Sequence, residues 1–172
     1  AIHVYDLSLQ GVIERLQEPG IRDLPRATLH RFLFDRSASA EFLGTILILD
    51  SEGNVVYDSQ TIEPPKANFA DRDFFQVHRD SADAGMYVSR PYRSRLRDGD
   101  ESIGISRRLS NLDGSFAGVV TGSLRLAFFR ERFARLSLGP QDSITILRND
   151  GAVIARSPYS STDLGADIGQ AK

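Results

Sequence analysis

NFADRDFFQVHRDSADAGMYVSRPYRSRLRDGDESIGISRRLSNLDGSFAGVVTGSL, Asn68 to Leu124, joins a helix signal, arginine-rich extended segments and an apolar alternating run. Asn68 can accept from the free N–H groups that open a helix, and Asp71 suits the positive end of the helix dipole in the first turn. Phe74, Phe75 and His78 then fall on neighbouring turns. From Met86 to Arg97 the chain carries Arg90, Arg93, Arg95 and Arg97 with no acid among them, and β-favouring residues surround Arg90. Arg107 and Arg108 follow Ile103 to Ser106. LDG at 112–114 is a turn signal, and the run from Phe116 to Leu124 alternates. The stretch predicts one helix and then three antiparallel strands.

Working outward, GTILILD (44–50), SEG (51–53) and NVVYDS (54–59) read as a β-hairpin with a glycine at the position that needs φ > 0. SITILR (143–148), NDG (149–151) and AVIARS (152–157) repeat that design. Superposing Gly53 on Gly151 aligns Ile46 with Ile144, Ile48 with Ile146, Leu49 with Leu147, Val55 with Val153 and Ser59 with Ser157. Two tandem copies of one small α+β fold explain this, and so does a single sheet holding both hairpins. Phe128, Phe129, Phe133 and Leu136 predict a short amphipathic helix joining the two units, with Arg130, Glu131, Arg132 and Arg135 outward.

Towards the N-terminus, Ile2, Tyr5, Leu9, Val12 and Leu16 form a heptad-like stripe that ends at Pro19 and Gly20. The stripe either packs on its own domain or pairs with a second copy. Asp23 and Pro25 open a second helix with Leu29, Phe32 and Leu33 on one face, and the pattern lapses at SASA, 37–40.

With 172 residues, 41% of them hydrophobic, the chain can bury one core and part of a second. A formal net charge of −2 argues against nucleic acid as a partner. The absence of cysteine removes disulfides, thiolate metal sites and thiol nucleophiles. The three histidines, His3, His30 and His78, stand in no metal-binding or nucleophile motif, and no phosphate-cradling glycine loop occurs. We therefore expect no catalytic residues, no metal and no cofactor. No run approaches the ~20 apolar residues of a membrane span, so any membrane anchorage is expected in flanking segments. The arginines carry the sharper expectation, because a guanidinium grips carboxylate or phosphate bidentately. The candidate ligand set is Arg72, Arg90 and Arg107, closed by Phe74, Phe75, His78 and Tyr87, with Asp71 able to take a ligand ammonium.

The blocks DRDFFQVHR, MYVSRPYRSR and ISRRLSNLDGSFAGVVTGSL resemble the extracytoplasmic double Cache (PAS-like, PDC) sensor domains of bacterial diguanylate cyclases and sensor histidine kinases. The resemblance implies an α+β fold. N-terminal helices precede a PAS-like antiparallel sheet with a covering helix and loops, and a second similar unit begins after it. It divides the chain into a helical stalk (1–40), a membrane-distal Cache domain (41–138) and the first hairpin of a membrane-proximal unit (139–172). It also implies a periplasmic or extracellular location on a membrane-bound signalling protein, a small anionic or zwitterionic ligand, and a stalk that signals to an output domain. A ligand-free dimerisation module, paired through the N-terminal helix, is the other function the residues allow.

Overall fold

A computed structural model describes residues 2–34, 43–136, 139, 141–159, 162 and 165–166. The expected lapse at 37–40 lies outside them.

Helix α1 spans Ile2–Leu16. Of its stripe, Tyr5, Leu9 and Val12 are at most 4% exposed, whereas Val4 and Leu7 on another face are more than half exposed. The chain itself covers the stripe, so these three residues are not available to a second copy in this structure. Gly20, at φ 75°, turns the chain into a 3₁₀ turn at Ile21–Asp23. Pro25 then accepts from the N–H groups of Thr28 and Leu29, at 2.8 and 2.9 Å, and opens helix α2, Arg26–Phe34. Arg15 of α1 donates to the Leu33 carbonyl at 3.1 Å and ties the two helices together.

The strands are β1 (Leu43–Leu49), β2 (Val55–Asp58), β3 (Tyr87–Val88), β4 (Tyr92–Arg93), β5 (Glu101–Ser110), β6 (Phe116–Arg125), β7 (Ile144–Leu147) and β8 (Val153–Ser157). Helix α3 is Asp73–Asp80 and helix α4 is Ala127–Ala134. The chain forms two compact units. One comprises 1–89 and 104–123, the other 90–103 and 124–172, so β5 and β6 run through both.

In the first unit the strands follow the order β2-β1-β6-β5-β3. Its interior includes Ile46, Leu47, Ile48, Leu49, Ile105, Val119 and Val120, each less than 9% exposed. The close approach of β6 to β1 requires glycine at 118: its φ is 138°, and a β-carbon there would come to 2.0 Å of the Leu49 carbonyl oxygen. That fits the close packing its position in the apolar run suggests.

The second unit holds β4 against the first residues of β5, helix α4, and the β7–β8 hairpin. Helix α4 belongs to this unit and packs against β8. Arg130, expected to point outward, instead reaches Glu101 at 2.8 Å, and the Tyr159 hydroxyl donates to the same carboxylate at 2.9 Å.

The two hairpins agree residue by residue. Leu47↔Asp58, Ile48↔Tyr57 and Leu49↔Val55 in one match Thr145↔Arg156, Ile146↔Ala155 and Leu147↔Val153 in the other, with a bulge at the same step. Gly53 and Gly151 have φ of 87° and 85°. Asp50 N–H donates to Asn54 O at 3.0 Å, and Arg148 N–H to Ala152 O at 2.8 Å.

Candidate ligand site

Helix α3 starts later than its sequence suggests. The Asn68 side-chain oxygen accepts from the N–H of Ala70, two residues on, at 2.9 Å, and its amide donates to Glu52 O and Asn54 Oδ1. This Asx turn satisfies Asn68 outside the helix, and Arg72 becomes the cap residue, in extended conformation and without a capping side-chain bond. Asp73 is the first helical residue. Its Oδ1 accepts from the Phe74 N–H at 2.8 Å, and its Oδ2 accepts from the Tyr87 hydroxyl at 3.2 Å.

Alternation along β5 decides what α3 meets. Gly104, Ser106 and Arg108 face it. Phe74 lies so close to Gly104 that a β-carbon there would be 3.0 Å from the ring and 3.4 Å from Thr121 Oγ1. The Ser106 hydroxyl donates to the Phe74 carbonyl at 3.2 Å, so it must accept from His78 Nε2–H, 2.9 Å away. This fixes the imidazole as the Nε2–H tautomer, and its Nδ1 is buried with no hydrogen-bond partner among the described residues. Burial, aided by the nearby Arg108 and Arg107 charges, pushes the His78 pKa down from 6.5 to about 4. Arg108 donates to the His78 carbonyl and to Gly114 O, and its guanidinium lies 4.9 Å from the Phe116 ring centre. Further along the site, the buried Ser89 hydroxyl oxygen accepts from the Gly104 N–H at 2.7 Å.

The neighbouring residues Ile105 and Arg107 point the other way. Arg107 grips Asp6 of α1 with a fork, Nε to Oδ1 and Nη2 to Oδ2, and Gln10 donates to the same carboxylate at 2.9 Å. The Arg107 hydrogen bonds hold the Asp6 carboxyl below the usual range although burial opposes this. A cleft of about 390 Å³ lies beside this pair, lined in part by Glu14, Gly85, Arg107 and Arg108.

The expected ligand set is therefore divided. The structure gathers Phe74, His78 and Tyr87 on the α3 side of β5, with Arg72 half-buried at the helix start and Asp71 exposed just before it. Phe75 is buried against Phe116, with ring centres 5.4 Å apart, and serves packing. Arg107 does not join them, because the strand turns it to α1. Arg90 falls in the other unit, where it pairs with Asp150 at 3.2 Å. Sequence reasoning missed Asp73, Ser89, Gly104, Ser106 and Thr121. The alternation of small residues with isoleucine in SIGIS (102–106) was the available signal.

No protein-family model and no curated protein matches the sequence. Solved structures do. The extracellular domain of rpHK1S-Z16, assigned as a histidine kinase, matches at TM-score 0.77 and 28% identity over 98% of this chain and 68% of that one. The fold is that of a Cache sensor domain. The same Cache fold recurs in the ligand-binding domain of the Pseudomonas fluorescens chemoreceptor CtaA, solved with L-valine (TM-score 0.65, 18% identity, 99% of this chain and 70% of that one). It recurs again in the Pseudomonas aeruginosa chemoreceptor PctB, solved with L-Arg (0.68, 16%, 95% and 65%). The chain thus spans about two thirds of these domains. They are named as extracellular or ligand-binding domains rather than catalytic ones, and no helix among the described residues is long and apolar enough to cross a membrane.

Proposed function

We propose that this chain is the extracytoplasmic sensing domain of a membrane-bound bacterial signalling protein, binding a small anionic or zwitterionic molecule on the α3 face. The observation that carries this reading is the start of α3. Arg72 and Asp73 are adjacent, and the Asp73 carboxylate is held by the Tyr87 hydroxyl. A guanidinium and a carboxylate so placed suit a ligand that bears a carboxylate, an ammonium, or both. The amino acids named with CtaA and PctB support that class. The equivalence of the two hairpins supports reading the second unit as a second copy of the PAS-like fold. Signal would leave through α1, which Asp6 clamps to the strand that carries Ser106 on its other face. A ligand drives such a change only if it binds the two arrangements with different affinity.

Thermal unfolding against amino acids, mono- and dicarboxylates, phosphate, urea and polyamines tests the reading. A ligand at 100 times its Kd stabilises by about 2.7 kcal/mol, a rise of roughly 2–4 °C per kcal/mol. We expect one class to raise the Tm and Arg72→Ala to abolish the rise. A flat panel with a concentration-dependent mass would instead support the ligand-free dimerisation module.

A further inference from the structure

We propose a second small-molecule site, separate from the α3 face, that takes a monocarboxylate with a compact apolar body. A cavity of about 280 Å³ opens in the first unit below the end of α1. Leu16, Val56, Tyr57, Leu109 and Ala117 wall it, and all five are half-buried, as side chains facing a cavity open to solvent would be. The volume is about twice the ~150 Å³ that holds one benzene ring in a protein interior. It therefore has room for a ring or branched chain plus a carboxylate.

The polar groups at this cavity define the head group. Arg22, on the 3₁₀ turn, lines it and makes no hydrogen bond or ion pair with any described residue. The contrast with the neighbouring 390 Å³ cleft decides between the two. There Arg107 is forked onto Asp6, and Arg108 already donates to His78 O, Gly114 O and Ser110 Oγ. The Arg22 fork remains available for a bidentate carboxylate. Asp50 also lines the cavity, but its oxygens already accept from the N–H groups of Glu52 and Asn54 and from the Asn54 amide. It caps the hairpin turn. With Arg22 committed to one carboxylate, the Asp50 charge selects against a second carboxylate on the ligand.

The test is calorimetric titration of the full chain with benzoate and 3-methylbutanoate, alongside benzamide and succinate. We expect both monocarboxylates to bind, with benzamide and succinate at least tenfold weaker. Arg22→Ala, an exposed change that breaks no described contact, should weaken benzoate at least tenfold, and Ala117→Leu should block it by filling the cavity. Arg72→Ala should leave benzoate binding unchanged, which keeps this outcome distinct from that of the α3 face. No binding of either monocarboxylate at millimolar concentration would overturn the proposal. So would benzoate affinity unchanged in Arg22→Ala, or affinity lost in Arg72→Ala and kept in Arg22→Ala.

Discussion

The β1–β2 and β7–β8 hairpins share a register, a bulge and a glycine turn, yet they are buried differently. Leu49 is completely buried, and its counterpart Leu147 is 48% exposed. Ile46 and Ile48 are buried, whereas Ile144 and Ile146 are only half-buried. Strand β1 lies between β2 and β6, while β7 has β8 as its single described strand neighbour. Turn chemistry and local pairing build the hairpin, and the neighbouring strand decides what it contributes to stability.

The largest effect is expected where that neighbour approaches. Gly118→Ala would place a β-carbon 2.0 Å from the Leu49 carbonyl at a φ that L residues rarely adopt, so β6 could not lie against β1 as it does. We expect a loss above about 4 kcal/mol, or no folding, by urea denaturation. A stable variant with an unchanged near-UV spectrum would break the explanation.

The paired truncations come next. Leu49→Ala should cost about 3–4 kcal/mol as a core cavity, and Leu147→Ala less than about 1 kcal/mol as a surface change. Equal losses in urea melts would show that hairpin identity, and not strand environment, sets the energy.

Acid should sharpen the difference between the units, because the buried His78 lies in the first. The folded His78 titrates near 4 and the unfolded imidazole near 6.5, so the unfolded chain binds the proton first as pH falls. The associated stability is complete above about pH 6.5 and is lost progressively towards pH 4, roughly 3 kcal/mol in all. Urea midpoints between pH 7 and 4 should fall steeply in the parent protein and less in His78→Asn. Parallel slopes would remove His78 from the account.

Much of this was legible because it is local. The glycine turns at 53 and 151, the alternation of apolar residues and the stripe on α1 each follow from spacings within about fifteen residues, and the hairpin repeat carried its register with it. The Asn68 cap was misplaced for a local reason too, since an asparagine can close an Asx turn as readily as a helix. The arginines were harder. Type and spacing marked Arg72, Arg90 and Arg107 as able to grip an anion, but not which way each would point.

By itself, then, the sequence determined the helices, the hairpins and the kind of group that could bind an anion, because backbone sterics and side-chain periodicity act over short distances. Only the tertiary structure decided that Arg107 answers Asp6, 101 residues away, that Arg90 falls in the other unit, and that His78 is buried against Ser106. The reason is the two-residue period of a strand. Adjacent residues face opposite sides, so Ser106 and Arg107 could be assigned to α3 and α1 only once strand pairing had fixed which side was which.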